Sequence, residues 1–156
     1  MNLSEHLTLA ELIRSESAKR LGVTNMPTPE HIINLKELAE NIFEPIRAHF
    51  RCPIHISSGY RSHELNQALK GASKTSQHLK GEAIDIDMDG SPNGISNAMI
   101  YDFIIAKLDF DQLIWEHGNT VNPAWVHVSY KKNGPQRHEV LRAVNVEGST
   151  RYIKVS

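Results

Sequence analysis

The chain has 156 residues, a length at which one domain buries roughly 70% of the surface that the unfolded chain exposes, so we expect a single domain over residues 1–156. Its formal net charge of −1 provides no basic surface to attract nucleic acid or an acidic membrane. The one cysteine, Cys52, excludes an intramolecular disulfide and a cysteine-based zinc cluster, so any metal would have to be bound by histidine and carboxylate.

The N-terminal segment lacks the features of a secretion signal. Residues 1–6 show no basic region followed by an apolar run, and no stretch of the chain approaches the roughly 20 apolar residues of a membrane span. We therefore expect a monomer that is made in the cytoplasm and does not insert into a membrane.

Helices are predicted in the first part of the chain. Thr8 and Glu11 form a capping box that begins a short helix, and Gly22 is placed to end it. Thr28-Pro29 begins a longer helix, in which Pro45 should cause a kink or a break. The apolar residues of this longer helix recur at a spacing of three or four and predict one buried face: Ile32, Leu35, Ala39, Ile42, Ile46 and Phe50.

Strands predominate in the rest of the chain. Residues 54–57 alternate as a strand, and Ser62 begins a short helix that Gly71 should close. A further helix is predicted over residues 95–108. The remaining strands are predicted over residues 82–88, 111–116, 123–131, 138–144 and 150–155, the last two as a hairpin at a sheet edge. This order of elements indicates an α+β fold with a mainly antiparallel sheet.

His78 and Asp85 stand close enough in sequence to meet only if the chain reverses between them. If this segment were extended, the two residues would lie roughly 23–25 Å apart, too far to bind one metal ion. Gly81 can take the backbone conformation that a reversal needs, and the alternation that follows buries Ile84 and Ile86. Asp85 then faces the side to which His78 can return.

The spacing Ser-x-His-x-x-Gly-x-Ala-x-Asp over residues 76–85 resembles the signature of the M15 zinc peptidases, a family of D-alanyl-D-alanine carboxypeptidases and peptidoglycan endopeptidases. Residues 57–62 resemble the Ser-Gly-Tyr-Arg segment of this family, and residues 125–129 resemble the strand that carries its last metal ligand. Within the family, the resemblance is to subfamily A. It implies a Hedgehog/DD-peptidase-like fold, with N-terminal helices packed on the sheet.

The resemblance also implies one zinc ion per chain, bound by His78, Asp85 and His127. Two histidines and one carboxylate leave a fourth position open, as in catalytic rather than structural zinc sites. Zinc in such a site lowers the pKa of a water molecule to about 7 and polarises a carbonyl oxygen.

A second metal-binding pattern overlaps this segment. Asp85, Asp87, Asp89 and Gly90 reproduce the first half of an EF-hand calcium loop. The twelfth position, which should be a bidentate glutamate, is Ser96, and a predicted strand stands where an EF-hand needs a helix. We therefore expect Asp87 and Asp89 to be solvated carboxylates of a turn.

A hydrolytic site also needs a general base. In many members of the resembled family a glutamate lies a few residues before the last histidine, but residues 123–126 contain none. We predict that Glu116 is the base instead, since antiparallel pairing of its strand with that of His127 would bring both side chains to one face. His117 is the alternative.

Two further residues are candidates for contact with the substrate. Arg61 follows a strand and a glycine, and its planar guanidinium can bind a carboxylate or a developing oxyanion. The resemblance implies that Arg61 is the substrate-binding or transition-state arginine of the family. It also implies that Ser76 places a hydroxyl near the site and binds substrate, with a loop cap as the alternative role.

The sequence therefore predicts a zinc metallopeptidase that acts on the peptide stems of peptidoglycan, as a D,D-carboxypeptidase or a phage-type endolysin. The alternative is a non-catalytic, zinc-stabilised module that binds cell-wall peptides, and the position of Glu116 relative to the metal ligands discriminates between the two. Because peptidoglycan lies outside the cytoplasm, we expect the protein to reach it through phage lysis or by an export route that the sequence does not reveal.

Overall fold

A six-stranded sheet is the centre of the fold in the computed structural model, which describes residues 1–69 and 72–155. The strands in chain order are β1 (Asn2–Ser4), β2 (Leu7–Thr8), β3 (Ile56–Ser58), β4 (Ala83–Ile86), β5 (Gln112–Glu116), β6 (Trp125–Ser129), β7 (Glu139–Val146) and β8 (Ser149–Lys154). β1 and β2 pair separately, and the large sheet has the order β3-β4-β6-β5-β7-β8. The predicted edge hairpin is formed by β7 and β8.

Helices accompany this sheet, and the α+β class is confirmed. They are α1 (Leu9–Ile13), α2 (Glu16–Leu21), α3 (Pro29–Leu38), α4 (Glu44–Phe50), α5 (His63–Ala68) and α6 (Asn97–Lys107). A π-helical segment, Ala39–Phe43, joins α3 to α4, and a 3-10 turn spans Gln77–Lys80. Among the described residues, no helix has the length and apolar character needed to cross a membrane.

The large sheet is mainly antiparallel, as predicted, but β5 and β7 pair in parallel. The connectivity explains this exception. β6 runs antiparallel to β5 and therefore ends beside the point where β5 begins. After β6, the chain returns to the sheet at that same end, but on the side of β5 opposite to β6. β7 therefore runs in the same direction as β5.

The two faces of the large sheet have different surroundings, because neighbouring residues of a strand point to opposite faces. Alternate residues of the central strands lie in one apolar core with the buried sides of α3, α4 and α6, and they are Ile84, Ile86, Leu113, Val126 and Val128. The opposite face carries Asp85, Glu116 and His127, and we call it the site face.

The N-terminal helix is shorter than the sequence predicts. The capping box at Thr8 and Glu11 is present, but the helix it begins ends at Ile13. Ser15 then caps α2, and Gly22, at a φ of 67°, ends α2 instead of one continuous helix. Gly71, predicted to close α5, lies outside the described residues.

Pro45 does not break the long helix. The chain passes from α3 through the π segment, in which the amide of Glu44 donates to the carbonyl of Ala39, and Pro45 follows inside the first turn of α4. Proline has no amide hydrogen, and its ring would clash with the carbonyl four residues earlier in a regular helix. A π turn placed just before it accommodates both effects.

The β1–β2 hairpin, which the sequence pattern does not predict, is fastened to α4 through Glu44. Ser4 Oγ and the amide of His6 each donate to Glu44 Oε1 over 2.7 Å. His6 Nδ1 lies 2.9 Å from the second carboxylate oxygen. Burial would raise the pKa of Glu44, but the hydrogen bonds from His6 and Ser4 outweigh it and lower that pKa below 4.5.

Replacing Glu44 with glutamine should therefore destabilise the protein by about 1–3 kcal/mol at pH 7, because charge-assisted hydrogen bonds are lost. Since the folded-state pKa is lowered, this contribution is present above pH 4.5 and is lost as the pH falls below it. Urea unfolding at pH 7 and at pH 3 measures the difference. Glu40→Gln, at an exposed position of the same helical stretch, should change stability by less than about 0.5 kcal/mol.

Candidate metal centre and active site

His78 is held with its Nδ1 against a backbone carbonyl and its Nε2 directed at Asp85. The side chain is buried at 3% exposure, and its Nδ1 lies 2.7 Å from the carbonyl oxygen of Gly59, to which an Nδ1–H can donate. In that tautomer Nε2 is the nitrogen with the lone pair. A carbonyl that fixes the tautomer in this way is the usual support of a metal-binding histidine.

Two glycines permit this arrangement. Gly81, which follows the 3-10 turn of His78, has a φ of 73°, and a Cβ there would lie 2.7 Å from the carbonyl oxygen of His31. A Cβ at Gly59 would lie 2.4 Å from the carbonyl oxygen of Leu12. The chain therefore reverses between His78 and β4 at Gly81, as the sequence predicts, and packs too closely at both positions for a side chain.

Asp85 and His127 face each other across the pairing of β4 with β6. His127 Nδ1 lies 3.0 Å from Asp85 Oδ1, and His78 Nε2 lies 3.3 Å from the same oxygen. One donor atom from each of the three residues lies within 4.8 Å of the others. The structure thus brings together the three residues that the sequence singles out as metal ligands.

This group has the composition and spacing that a zinc ion needs. Tetrahedral zinc with bonds of about 2.0–2.1 Å keeps its ligand atoms roughly 3.3 Å apart. The measured separations of 3.0 and 3.3 Å around Asp85 Oδ1 are close to that value. Burial opposes ionisation of Asp85, but His78 and His127 outweigh it and hold the pKa of this carboxyl well below its usual range. The aspartate is therefore anionic at neutral pH, as a metal ligand would have to be.

Glu116 lies on the site face, next to the pair that Ile114 and His127 form on that face. Ile114, and not Glu116, stands directly opposite His127, while Glu116 is opposite Trp125. Glu116 and His127 are thus diagonal neighbours, at a spacing of roughly 7 Å between Cα atoms. The sequence predicts Glu116 beside His127 on the same face, and the observed register gives this diagonal form of the pairing.

The surroundings of Glu116 suit a proton acceptor that works near neutral pH. Its side chain is buried, and this burial raises its pKa to about 7; His127 acts against the shift and the negative charge of Asp85 adds to it. A carboxyl with a pKa near 7 can both take up and release a proton at neutral pH. A pKa raised in this way by burial is common among residues that act in acid–base catalysis.

Arg61 is positioned by two hydrogen bonds that also tie it to His78. Its amide donates to the carbonyl of His78, and its guanidinium donates to Oδ1 of the buried Asn66 over 3.1 Å. Burial lowers the pKa of Arg61 and nearby Asp85 raises it, but arginine stays charged at neutral pH. Asn66 is not among the residues predicted from the sequence. The signal that could have indicated it is a polar residue on the buried side of α5.

Arg61 also lines a cavity of about 550 Å³. The cavity lies at the β3 end of the sheet, and Ser57, Ser58, Tyr60 and Arg14 contribute to its walls. Hydroxyl groups, two guanidinium groups, the carboxylate of Glu16 and three apolar residues line this space, which has the size that small ligands occupy. The lining is therefore of mixed polarity.

The comparisons with known proteins agree with this site. A family model described as Peptidase M15 matches residues 5–129, which contain the three ligand candidates, Arg61 and Glu116. The chain belongs to the peptidase M15 family. No curated protein matches it. Membership of the M15 family indicates a metallopeptidase, and the group of two histidines and an aspartate is a plausible metal site for it.

The other candidate residues of this M15 peptidase make local contacts and are not part of the metal group. Ser76 Oγ accepts from the amide of His78 over 3.2 Å, so this hydroxyl caps the 3-10 turn, which is the alternative role weighed for it. The ring of His117 lies against Trp125, with the centroids 5.6 Å apart. Asp87 Oδ1 accepts hydrogen bonds from the amide of Asp89 and from the side chain of Asn97. These bonds give Asp87 a structural role in the turn.

Proposed function

We propose that this protein is a zinc-dependent metallopeptidase that hydrolyses peptide bonds in the stem peptides of peptidoglycan. It would act as a D,D-carboxypeptidase or as an endopeptidase of the endolysin type, on a single domain with the Hedgehog/DD-peptidase-like fold. The observation that carries the proposal is the buried group of His78, Asp85 and His127 beside Glu116, in a chain of the M15 family.

His78, Asp85 and His127 would hold one zinc ion per chain. When bound there, zinc supplies Lewis-acid chemistry: it polarises a carbonyl oxygen and makes water more acidic. The residues of the chain account for the proton. Glu116 accepts it from the attacking water and donates it to the leaving amine, because its pKa of about 7 permits both transfers at neutral pH.

Arg61 supplies a fixed positive charge on the other side of the metal group. The carbonyl of His78 fixes its backbone, and Asn66 restricts the orientation of its guanidinium. We propose that it binds a carboxylate of the substrate or stabilises the oxyanion of the transition state. Ser76 would contribute at the same end of the site as a substrate-binding hydroxyl.

Arg61→Lys should lower kcat/KM by about 10- to 100-fold, because lysine keeps the charge but loses the planar pair of donors. The metal content of the variant should equal that of the unmodified protein. Steady-state kinetics together with metal analysis tests both statements. Arg20→Lys, at an exposed position of α2, is the matched control and should leave both unchanged. Undiminished kcat/KM in Arg61→Lys would remove Arg61 from the site.

The binding-module alternative differs from the enzyme in one respect, the presence of a base. Glu116 lies on the site face, is buried and has a pKa raised to about 7. A carboxylate without a catalytic role would have no reason to be desolvated within range of the charges of His127 and Asp85. This position of Glu116 supports the enzyme.

Peptidoglycan lies outside the cytoplasm, so the proposal includes a route to it. We propose that the protein acts, as a monomer, on the cell wall after release by phage lysis or after export. Incubation with defined muropeptides, followed by mass spectrometry of the products, tests the proposed activity. The expected result is cleavage at one bond, either at a terminal D-alanine or inside the stem. Intact muropeptides after prolonged incubation with zinc-loaded protein would contradict it.

A further inference from the structure

One row of residues crosses the site face from β6 to the edge strand β8. Glu116 of β5 is opposite Trp125 of β6 on one side and opposite Ala143 of β7 on the other. Ala143 is in turn opposite Tyr152 of β8. Residues directly opposite in paired strands point to the same face. Tyr152 therefore lies on the site face, two strands away from Glu116.

The ring of Tyr152 is exposed, although the residue between it and Glu116 is fully buried. Tyr152 has 56% of its surface exposed, whereas Ala143 has none. Because alanine carries only a methyl group, it leaves space between its two larger neighbours. Partial burial raises the pKa of the Tyr152 phenol, and the negative charges of Glu116 and Asp85 add to this effect.

The strand order places Tyr152 at a definite distance from the reaction. Neighbouring strands are about 4.8 Å apart, so β8 lies about 10 Å from β5 and about 14 Å from β6. An extended peptide advances about 3.4 Å per residue. A peptide that runs across the strands, with the cleaved bond placed between Glu116 on β5 and His127 on β6, would therefore reach Tyr152 about three or four residues from that bond. The Arg61 cavity lies beside β3, the strand at the opposite edge of the sheet.

We propose that Tyr152 is a specificity-determining residue whose ring contacts the substrate peptide about three or four residues from the cleaved bond. The contact favours long peptides, as in an endopeptidase, over short ones. This inference rests on the proposed function. The family model matches only residues 5–129, so the β7–β8 hairpin that supplies the contact lies outside the matched region.

Tyr152→Ala should lower kcat/KM about tenfold for a cross-linked muropeptide dimer, mainly through a higher KM, because an aromatic contact area is lost. For an N-acetylated dipeptide or tripeptide with the same bond, the change should be less than about twofold. Ile153→Ala is the matched control, since Ile153 is 53% exposed but points to the opposite face of β8. Tyr152→Phe, which keeps the ring, should stay within about threefold of the unmodified protein.

An equal effect of Tyr152→Ala on long and short substrates, or none on either, would overturn the proposal. So would a loss in Tyr152→Phe as large as that in Tyr152→Ala, since the ring would then not be the contact. A binding titration separates these outcomes from failure of the proposed activity. In the Glu116→Gln background, Tyr152→Ala should raise the Kd for the cross-linked muropeptide dimer about tenfold, and an unchanged Kd would overturn the contact even if no hydrolysis occurs.

Discussion

Replacing Glu116 with glutamine is expected to lower turnover by about 10²- to 10⁴-fold, the usual cost of removing a general base. Glutamine has nearly the same size but cannot accept the proton. The three metal ligand candidates lie on β4, β6 and the 3-10 turn, so the variant should fold and retain metal. Steady-state kinetics on a cleaved muropeptide and metal analysis of the same sample measure the two effects. Glu40→Gln, at an exposed position, should turn over normally.

Full turnover by Glu116→Gln would contradict this role. The base would then be sought at His117, the alternative that follows Glu116 directly in sequence, and His117→Gln should show the loss instead. The ring of His117 contacts Trp125, the residue opposite Glu116 in the sheet. The kinetics of Glu116→Gln and His117→Gln, two variants at adjacent positions, therefore distinguish the two candidate bases.

The same substitution should stabilise the metal-free protein at alkaline pH. Burial raises the pKa of Glu116 from 4.5 to about 7 in the folded state. A raised folded-state pKa gives stability that is fully present below pH 4.5 and is lost as the pH rises through about 7. The difference corresponds to at most roughly 3 kcal/mol. Urea unfolding of metal-free Glu116→Gln should thus match that of the unmodified protein at pH 4 and exceed it at pH 8.5.

Parallel pH profiles of the two metal-free proteins would contradict the burial argument for Glu116. If the profiles diverge as expected, Glu116 is a residue whose charged form is kept at a cost in stability. Such a cost is common at catalytic positions, where function and stability conflict. Activity and stability would then change in opposite directions in one variant.

Asp85→Asn is expected to weaken metal binding by more than about 100-fold, because loss of an outer-shell partner alone costs 10- to 100-fold. Asparagine lacks the negative charge that both histidines approach at 3.0 and 3.3 Å. Competition with a fluorescent zinc chelator measures the affinity. Asp89→Asn is the matched control, since Asp89 is exposed and lies in the EF-hand-like segment. Equal losses of metal in Asp85→Asn and Asp89→Asn would favour the calcium interpretation instead, since both residues belong to the EF-hand-like segment.

The parts of the fold that the sequence predicts correctly depend on local patterns. Alternation of buried and polar residues locates β4, β5 and β6 to within a few residues, and it assigns Asp85 and His127 to the face away from the core. The positive φ of Gly81 follows from the same kind of local argument. These elements hold most of the candidate site, so most of its geometry could be anticipated.

The features that the sequence does not predict depend on distant contacts. The β1–β2 hairpin is held by Glu44, which lies about forty positions along the chain, and the parallel pairing of β5 with β7 depends on which sheet edge the chain reaches. Register is also a tertiary property, since pairing of the same two strands could place either Ile114 or Glu116 opposite His127. Tyr152 approaches Glu116 only through the joint register of two strand pairs, β5 with β7 and β7 with β8, which no local pattern contains.

Removal and restoration of zinc tests the central claim most directly. The protein is stripped with a chelator, dialysed, and assayed on a muropeptide that the untreated protein cleaves, before and after addition of zinc in increasing ratio. We expect activity to disappear on stripping and to return in proportion to added zinc up to one ion per chain, with no return in Asp85→Asn. Undiminished hydrolysis by the metal-free protein would contradict the account.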